Sequence, residues 1–357
     1  MEKELNEKLE KAAEAFAEKA EKEKEEAGKP QNIYELIEQE IRESDLSLDE
    51  KNKKLSRLSK IKHTPLNIML VGGTGCGKSS TINAMFDMNV ARVGVGVNPE
   101  TSDIKDYHLD NLTIWDTPGL GDSPELDKKY MEEIQKKLSE LDNDGDPVID
   151  LVLVIIDASQ KDLNTVYDCI NEVLIPAMGD DAKDRILICL NQADMAMKGK
   201  HWIEEMNRPD LTLMDYLDQK AAAVGKRIKD STGVTFKPIY YCAGYTEDNG
   251  DQLRPYNLSK LLYVIVAAVP KEKRLAMADV LNPDKEMWEK DDEKADYKKK
   301  VKQSFWEVVG DHTSDGAEKG VNIGVWILGA PGGVLGAGLG GAIGAIAGFF
   351  TALFTRR

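Results

Sequence analysis

The stretch Val71-Gly-Gly-Thr-Gly-Cys-Gly-Lys-Ser-Ser80 follows directly on the strand-like run Leu66-Asn-Ile-Met-Leu-Val71. Glycines in such a turn let the backbone wrap closely around a compact anionic group and aim several N–H groups at it from the positive end of the next helix. The spacing Gly72-x-x-x-x-Gly77-Lys78-Ser79, between a strand and a helix expected over Ser79 to Phe86, is the phosphate-binding form of that turn. Residues Gly72, Gly73, Thr74, Gly75, Cys76, Gly77, Lys78, Ser79 and Ser80 are therefore the expected cradle. In it Lys78 reaches the β and γ phosphates of a nucleotide and the Ser79 hydroxyl takes a Mg²⁺ ion.

Composition limits what else the chain can do. With 357 residues, 41% of them hydrophobic, it can bury one main domain plus additions. A formal net charge of -16 makes nucleic acid an unlikely partner, because phosphate backbones repel such a field. Four scattered cysteines with no Cys-x-x-Cys pair, behind a charged N-terminus with no secretory signal, fit a reduced cytoplasmic compartment. His63, His108, His201 and His312 show no metal-like spacing.

Four more signals follow the phosphate loop. In Asn111-Leu-Thr-Ile-Trp-Asp-Thr-Pro-Gly119, Asp116 ends a strand and can hold Mg²⁺ through a water, while the Gly119 amide can sense a γ-phosphate. Between the two motifs lies Asn98-Pro-Glu-Thr-Ser102, in which the hydroxyl of Thr101, or of Ser102 instead, would close onto Mg²⁺. In Ile188-Cys-Leu-Asn-Gln-Ala-Asp194, the Asp194 carboxylate can accept hydrogen bonds from guanine N1 and N2, which adenine does not offer, with Asn191 supporting the loop and Gln192 beside the base. Tyr241-Cys-Ala-Gly244 then places Cys242 and an Ala243 amide where guanine O6 can be met.

Short apolar runs at Leu66–Val71, Leu112–Trp115, Leu151–Ile156, Ile186–Leu190 and Ile239–Tyr241 alternate with helical segments, which predicts an α/β domain with a parallel sheet covered on both faces. The expected domains are a charged helical extension over 1–64, the nucleotide domain over 65–270, a helical segment over 271–318 and a glycine-rich apolar tail over 319–357. Ile33, Leu36, Ile37 and Ile41, then Leu55, Leu58 and Ile61, predict two helices within the first of these.

These signals resemble the Era-like branch of the Ras-type GTPases, within the TRAFAC class. More narrowly, Gly-Lys-Ser-Ser-Thr-Ile-Asn83, Trp-Asp-Thr-Pro-Gly-Leu-Gly121, Asn-Gln-Ala-Asp194 and the following His201-Trp202 and Asn207-Arg-Pro209 resemble a bacterial family described as 50S ribosome-binding GTPases. The resemblance covers a little over half the chain. It implies a Ras-like P-loop domain with a mostly parallel six-stranded sheet, GTP and GDP as ligands and Mg²⁺ as cofactor. Two departures stand out. Gln192 replaces the usual lysine that lies along the guanine ring, and Leu120 replaces a water-orienting glutamine, so slow intrinsic turnover is expected. Gly75 stands where some relatives use an asparagine to recruit potassium.

From Val321 to Phe354 no side chain is charged, and glycine recurs at 332, 336, 340, 344 and 348. A helix over Val334–Phe354 would be long enough to cross a bilayer, and its glycine face would let helices approach closely. The tail is expected either to insert as a hairpin at the inner face of the membrane, contacting lipid, or to pack against protein.

The expected function is a Mg²⁺-dependent GTP hydrolase acting as a switch, membrane-associated and activated by a homodimer or protein partner. The alternatives are a nucleotide-stabilised scaffold, a ribosome-associated assembly factor with little hydrolysis, and a GTP-gated membrane-remodelling effector.

Overall fold

The computed structural model describes residues 32–44, 46–86, 104–246, 252–309 and seven positions between 346 and 354. Thr101 and Ser102, the first 28 residues and most of the glycine-rich tail lie outside the described residues. The chain forms two compact units. Residues 66–269 and 285–298 make one, and the chain up to 65, 270–284 and 299 onward make the other.

The larger unit is built on a six-stranded sheet. Along the chain come β1 (Leu66–Gly72), α1 (Lys78–Phe86), β2 (Lys105–Leu109), β3 (Leu112–Asp116), α2 (Pro124–Leu138), β4 (Leu151–Asp157), β5 (Ile186–Asn191), α3 (Leu211–Thr232), β6 (Ile239–Tyr240) and α4 (Leu258–Ala268). Across the sheet the order is β2-β3-β1-β4-β5-β6. All pairs are parallel except β2 with β3. Every residue of β1 and of β4 is buried, as strands covered on both faces by helices must be.

All five expected strands are present. Added to them is β2, an edge strand whose Lys-Asp-Tyr-His-Leu sequence leaves its side chains exposed or half-buried, so no apolar run announces it. The sheet reverses direction of growth beside β1, since the chain passes from β1 to β3 on one side and then to β4 on the other. In open sheets of this type ligands bind beyond the carboxyl ends of the strands at that switch point.

The smaller unit is helical. The helices Ile33–Glu43 and Leu48–Lys62 match the two apolar stripes predicted, the first capped by the Asn32 side chain and the second by a reciprocal Ser47–Glu50 capping box. Within the segment expected to be helical over 271–318 lie 3₁₀ turns at Lys271–Met277 and, in the larger unit, Lys285–Trp288, followed by the helix Tyr297–Val309. Pro283, just after Asn282, cannot continue a helix. Phe350 stacks on Phe305 of that last helix with ring centroids 5.9 Å apart, and Trp306 meets it edge-on at 5.0 Å. Among the described residues no helix is long and apolar enough to cross a membrane.

Candidate nucleotide site

β1 delivers the glycine loop to the sheet edge, and the loop is fixed from three sides. Lys78, 9% exposed, turns back so that Nζ donates to Gly72 O at 3.1 Å and Gly73 O at 3.4 Å. Gly73 pairs in a β-bridge with Leu120, with Thr74 N donating to Leu120 O at 2.9 Å and Leu120 N to Gly72 O at 3.1 Å. From the other side the Asn191 side chain donates to Cys76 O at 3.0 Å. Gly77 has φ +90°, and a Cβ there would stand 2.2 Å from Asn191 Nδ2, so both the backbone and the neighbour require glycine. Ser80 lies half-buried on the first turn of α1. Cys76 is buried, which pushes its thiol pKa up against the pull of Lys78.

At the end of β3, Ser79 Oγ donates to Asp116 Oδ2 at 3.3 Å. The other oxygen, Asp116 Oδ1, is buried and has no hydrogen-bond partner. An unsatisfied buried acceptor of this kind costs about 1–3 kcal/mol, more when charged, so its position asks for a ligand. Burial raises the Asp116 pKa, opposed by Lys78, the Ser79 hydroxyl and Lys105. A hydroxyl and a carboxylate side by side, with a free oxygen between hard donors, fit Mg²⁺ completed by phosphate oxygens and water.

Gly119 lies directly against the loop: a Cβ there would be 2.4 Å from Thr74 Oγ1 and 2.6 Å from Thr74 Cα. Leu120 points into the hydrophobic core and is 3% exposed. The next turn is fixed by Gly121 N donating to the buried Asp127 Oδ1 at 2.7 Å. Thr74 Oγ1 donates to Asp122 Oδ1 at 2.9 Å, a contact not foreseen from the sequence.

Asn191, 1% exposed, spans the base end of the site. Its Nδ2 holds Cys76 O while its Oδ1 accepts from Ala243 N at 3.0 Å. Gln192, at φ +58°, donates from Nε2 to Gly75 O at 2.6 Å, so its side chain lies over the loop. Asp194 Oδ1 is buried without a hydrogen-bond partner, a second orphaned carboxylate oxygen in one site. The Cys242 thiol is pushed well up in pKa by burial first and by the Asp194 charge second. Beneath the loop, Thr81 Oγ1 donates to Gly77 O at 2.8 Å and lies 2.7 Å from Tyr241 OH, which links the two loops through a buried phenol. The sequence carried no sign of that link, because the partners are 160 positions apart.

The structure thus brings Gly72 to Ser80, Asp116, Gly119, Asn191, Gln192, Asp194, Cys242 and Ala243 to one edge of the sheet. Residues 66–229 match the family model described as the AIG1 family, a family of TRAFAC-class P-loop GTPases. The chain is 30% identical over 146 residues to the uncharacterized protein YfjP of Escherichia coli (strain K12), a match covering 40% of this chain and 46% of that one. It is 32% identical over 112 residues to interferon-inducible GTPase 1 of Mus musculus, covering 29% and 27%. The chain thus spans less than half the length of these curated relatives. Toc33 from Arabidopsis thaliana, solved with Mg²⁺ and GMPPNP, aligns over 68% of this chain and 92% of its own at 17% identity and a TM-score of 0.38. The matched segment runs from the first residue of β1 into α3 and contains the phosphate loop, Asp116, Gly119 and Asn191 to Asp194, so the larger unit is a Ras-like P-loop GTPase domain with an AIG1-family match over residues 66–229.

Proposed function

We propose that the chain binds GTP and hydrolyses it to GDP and phosphate as a Mg²⁺-dependent switch. One observation carries this reading: two buried carboxylate oxygens, Asp116 Oδ1 and Asp194 Oδ1, stand without partners at opposite ends of one glycine-lined edge. Each lies where a different part of a guanine nucleotide needs an acceptor or a metal ligand. The match to a GTPase family and to mouse proteins named as GTPases supports the same reading.

In this reading the loop amides from Gly72 to Ser80 and the Lys78 ammonium neutralise the phosphate chain, which is the main source of rate in phosphoryl transfer. Ser79, Asp116 and Thr101 would hold Mg²⁺, which draws charge from the β and γ oxygens. The Gly119 amide would report the γ-phosphate to the segment that follows. Asp194 accepts from the guanine edge and Asn191 with Gln192 keeps the two loops in register, while the Ala243 amide, which donates to Asn191 Oδ1 in this structure, would have to turn from it to meet O6 beside Cys242.

Leu120 lies in the core, which favours dependence on a homodimer or protein partner and keeps open a scaffold reading in which nucleotide serves as structural glue. Era-like ribosome association is the reading to which the cluster Lys298 to Lys302 would contribute, and co-sedimentation with ribosomal subunits tests it. A membrane-inserting tail over 319–357 would place the switch, or a remodelling effector, at the inner face of a bilayer, while burial of Phe349, Phe350, Leu353 and Phe354 supports packing on protein instead. Flotation with GTP analogue, GDP or neither separates these.

The central test is calorimetry with GDP, a GTP analogue and an ATP analogue, with and without Mg²⁺, followed by single-turnover phosphate release. Mg²⁺-assisted binding of guanine nucleotides with ATP excluded is expected. Equal uptake of ATP overturns the proposal, and guanine binding without any phosphate release selects the scaffold.

A further inference from the structure

The sequence leaves a gap in the expected chemistry, since Leu120 cannot orient a water, and the structure deepens it. Both backbone groups of Leu120 are consumed by the phosphate loop and its side chain belongs to the core. Nothing at position 120 can turn toward a γ-phosphate without dismantling the β-bridge to Gly73.

Two residues further on, the geometry is different. Gly121 N is fixed on Asp127 Oδ1 at 2.7 Å, and Ser123 caps α2, so residue 122 projects from a segment pinned on both sides. Asp122 is exposed and its Oδ1 accepts from Thr74 Oγ1 at 2.9 Å. Thr74 sits in the glycine loop between Gly73 and Gly75 and lies against Gly119, whose amide is the expected sensor of the γ-phosphate in the reading above. Asp122 Oδ2 makes no hydrogen bond among the described residues. A carboxylate clamped by one oxygen and open at the other is an acceptor of fixed direction, which is what orienting a water requires.

We infer that Asp122, held by Thr74, is the water-positioning residue of this site. The inference rests on the GTPase reading above. In the step concerned, Asp122 Oδ2 accepts a hydrogen bond from the attacking water. The water oxygen forms a bond to the γ-phosphorus, the bond from phosphorus to the β–γ bridging oxygen breaks with its electron pair leaving on GDP, and the water's protons end on the released phosphate. Asp122 neither loses nor gains a proton overall.

The experiment compares the full-length protein with D122N, T74V, T74S and the double variant D122N/T74V. Three quantities are read: affinity for a non-hydrolysable GTP analogue, affinity for GDP with aluminium fluoride, and single-turnover phosphate release at high protein concentration. Analogue affinity is expected to stay within about threefold in D122N, and the Thr74 variants are read as phosphate release relative to their own analogue affinity. D122N is expected to slow phosphate release by about 10- to 100-fold, within the span of a single positioned proton-accepting group, and to lose a similar factor in aluminium fluoride binding. T74V should show a smaller loss of the same kind, T74S should recover it, and the double variant should be no slower than D122N. Unchanged or faster release in D122N overturns the inference, as does an equal loss of analogue affinity. A wild-type protein that binds the GTP analogue but neither releases phosphate nor takes up GDP with aluminium fluoride overturns it while sparing nucleotide binding. A wild-type protein that binds no guanine nucleotide overturns the GTPase reading itself.

Discussion

The phosphate end and the base end of the site lie on the same sheet edge and are held by different means. At the phosphate end the loop is secured by backbone pairing to Leu120 and by its own lysine folding back on Gly72 and Gly73. At the base end the loops are secured by side chains arriving from elsewhere, with Asn191 reaching both Cys76 O and Ala243 N, and Tyr241 reaching Thr81. Local backbone geometry therefore makes the first, and tertiary packing makes the second. A change at the phosphate end should fall on ligand affinity, whereas a change at the base end should fall on affinity and fold stability together.

The sharpest way to break this contrast is Lys78→Ala. Removing the one ammonium in the cradle should weaken triphosphate binding by roughly 10²–10³-fold, the scale of losing a principal charge-stabilising donor. Calorimetry would show it. Asp194→Ala comes next: preference for GTP over ATP should fall by about 100-fold or more, from the loss of two charge-assisted hydrogen bonds at roughly 1.5 kcal/mol or more each, with little change in diphosphate-to-triphosphate ratio.

Asn191→Ala should separate the two ends most clearly. It leaves Cys76 O and Ala243 N without their partner in a buried site, so thermal unfolding should show a loss of about 2–3 kcal/mol. GDP and GTP affinity should fall by an equal factor. If stability is untouched, the base end is not held as described.

Asp116 gives a pH test. Its pKa in the fold is raised by burial, so the folded protein binds that proton more tightly than the unfolded chain does. Stability from this group is therefore greatest at low pH and declines as pH rises from the ordinary aspartate range through the raised value. Without Mg²⁺, Asp116→Asn should remove that decline and stabilise the protein by about 1 kcal/mol near neutral pH, while abolishing the Mg²⁺ dependence of nucleotide binding. Wild-type Mg²⁺ affinity should weaken on acidification at a higher pH than an exposed aspartate would cause. The smallest effect is expected for Gln192→Ala, which removes one exposed hydrogen bond to Gly75 O and should raise the nucleotide off-rate about two- to threefold.

The same contrast explains what could be read beforehand. Gly72, Gly77, Lys78 and Ser79 are recognisable because backbone geometry forces residue types at fixed short spacing. β1, β3, β4, β5 and β6 are recognisable because buried strands need apolar runs. β2 is not, since an edge strand pairing antiparallel to β3 has no face to bury and displays Lys105, Asp106 and His108. The Thr74–Asp122 and Thr81–Tyr241 contacts have no signature either, being products of which loops the sheet brings side by side.

The stack of Phe350 on Phe305 has a practical corollary. Phe305, Val308 and Val309 of the last long helix are almost wholly shielded, and Phe350 supplies part of their cover. A chain cut before Ile346 would not merely lose an appendage: it would uncover an adhesive aromatic strip, and clumping of the shortened protein would follow from that strip whatever the glycines do in lipid.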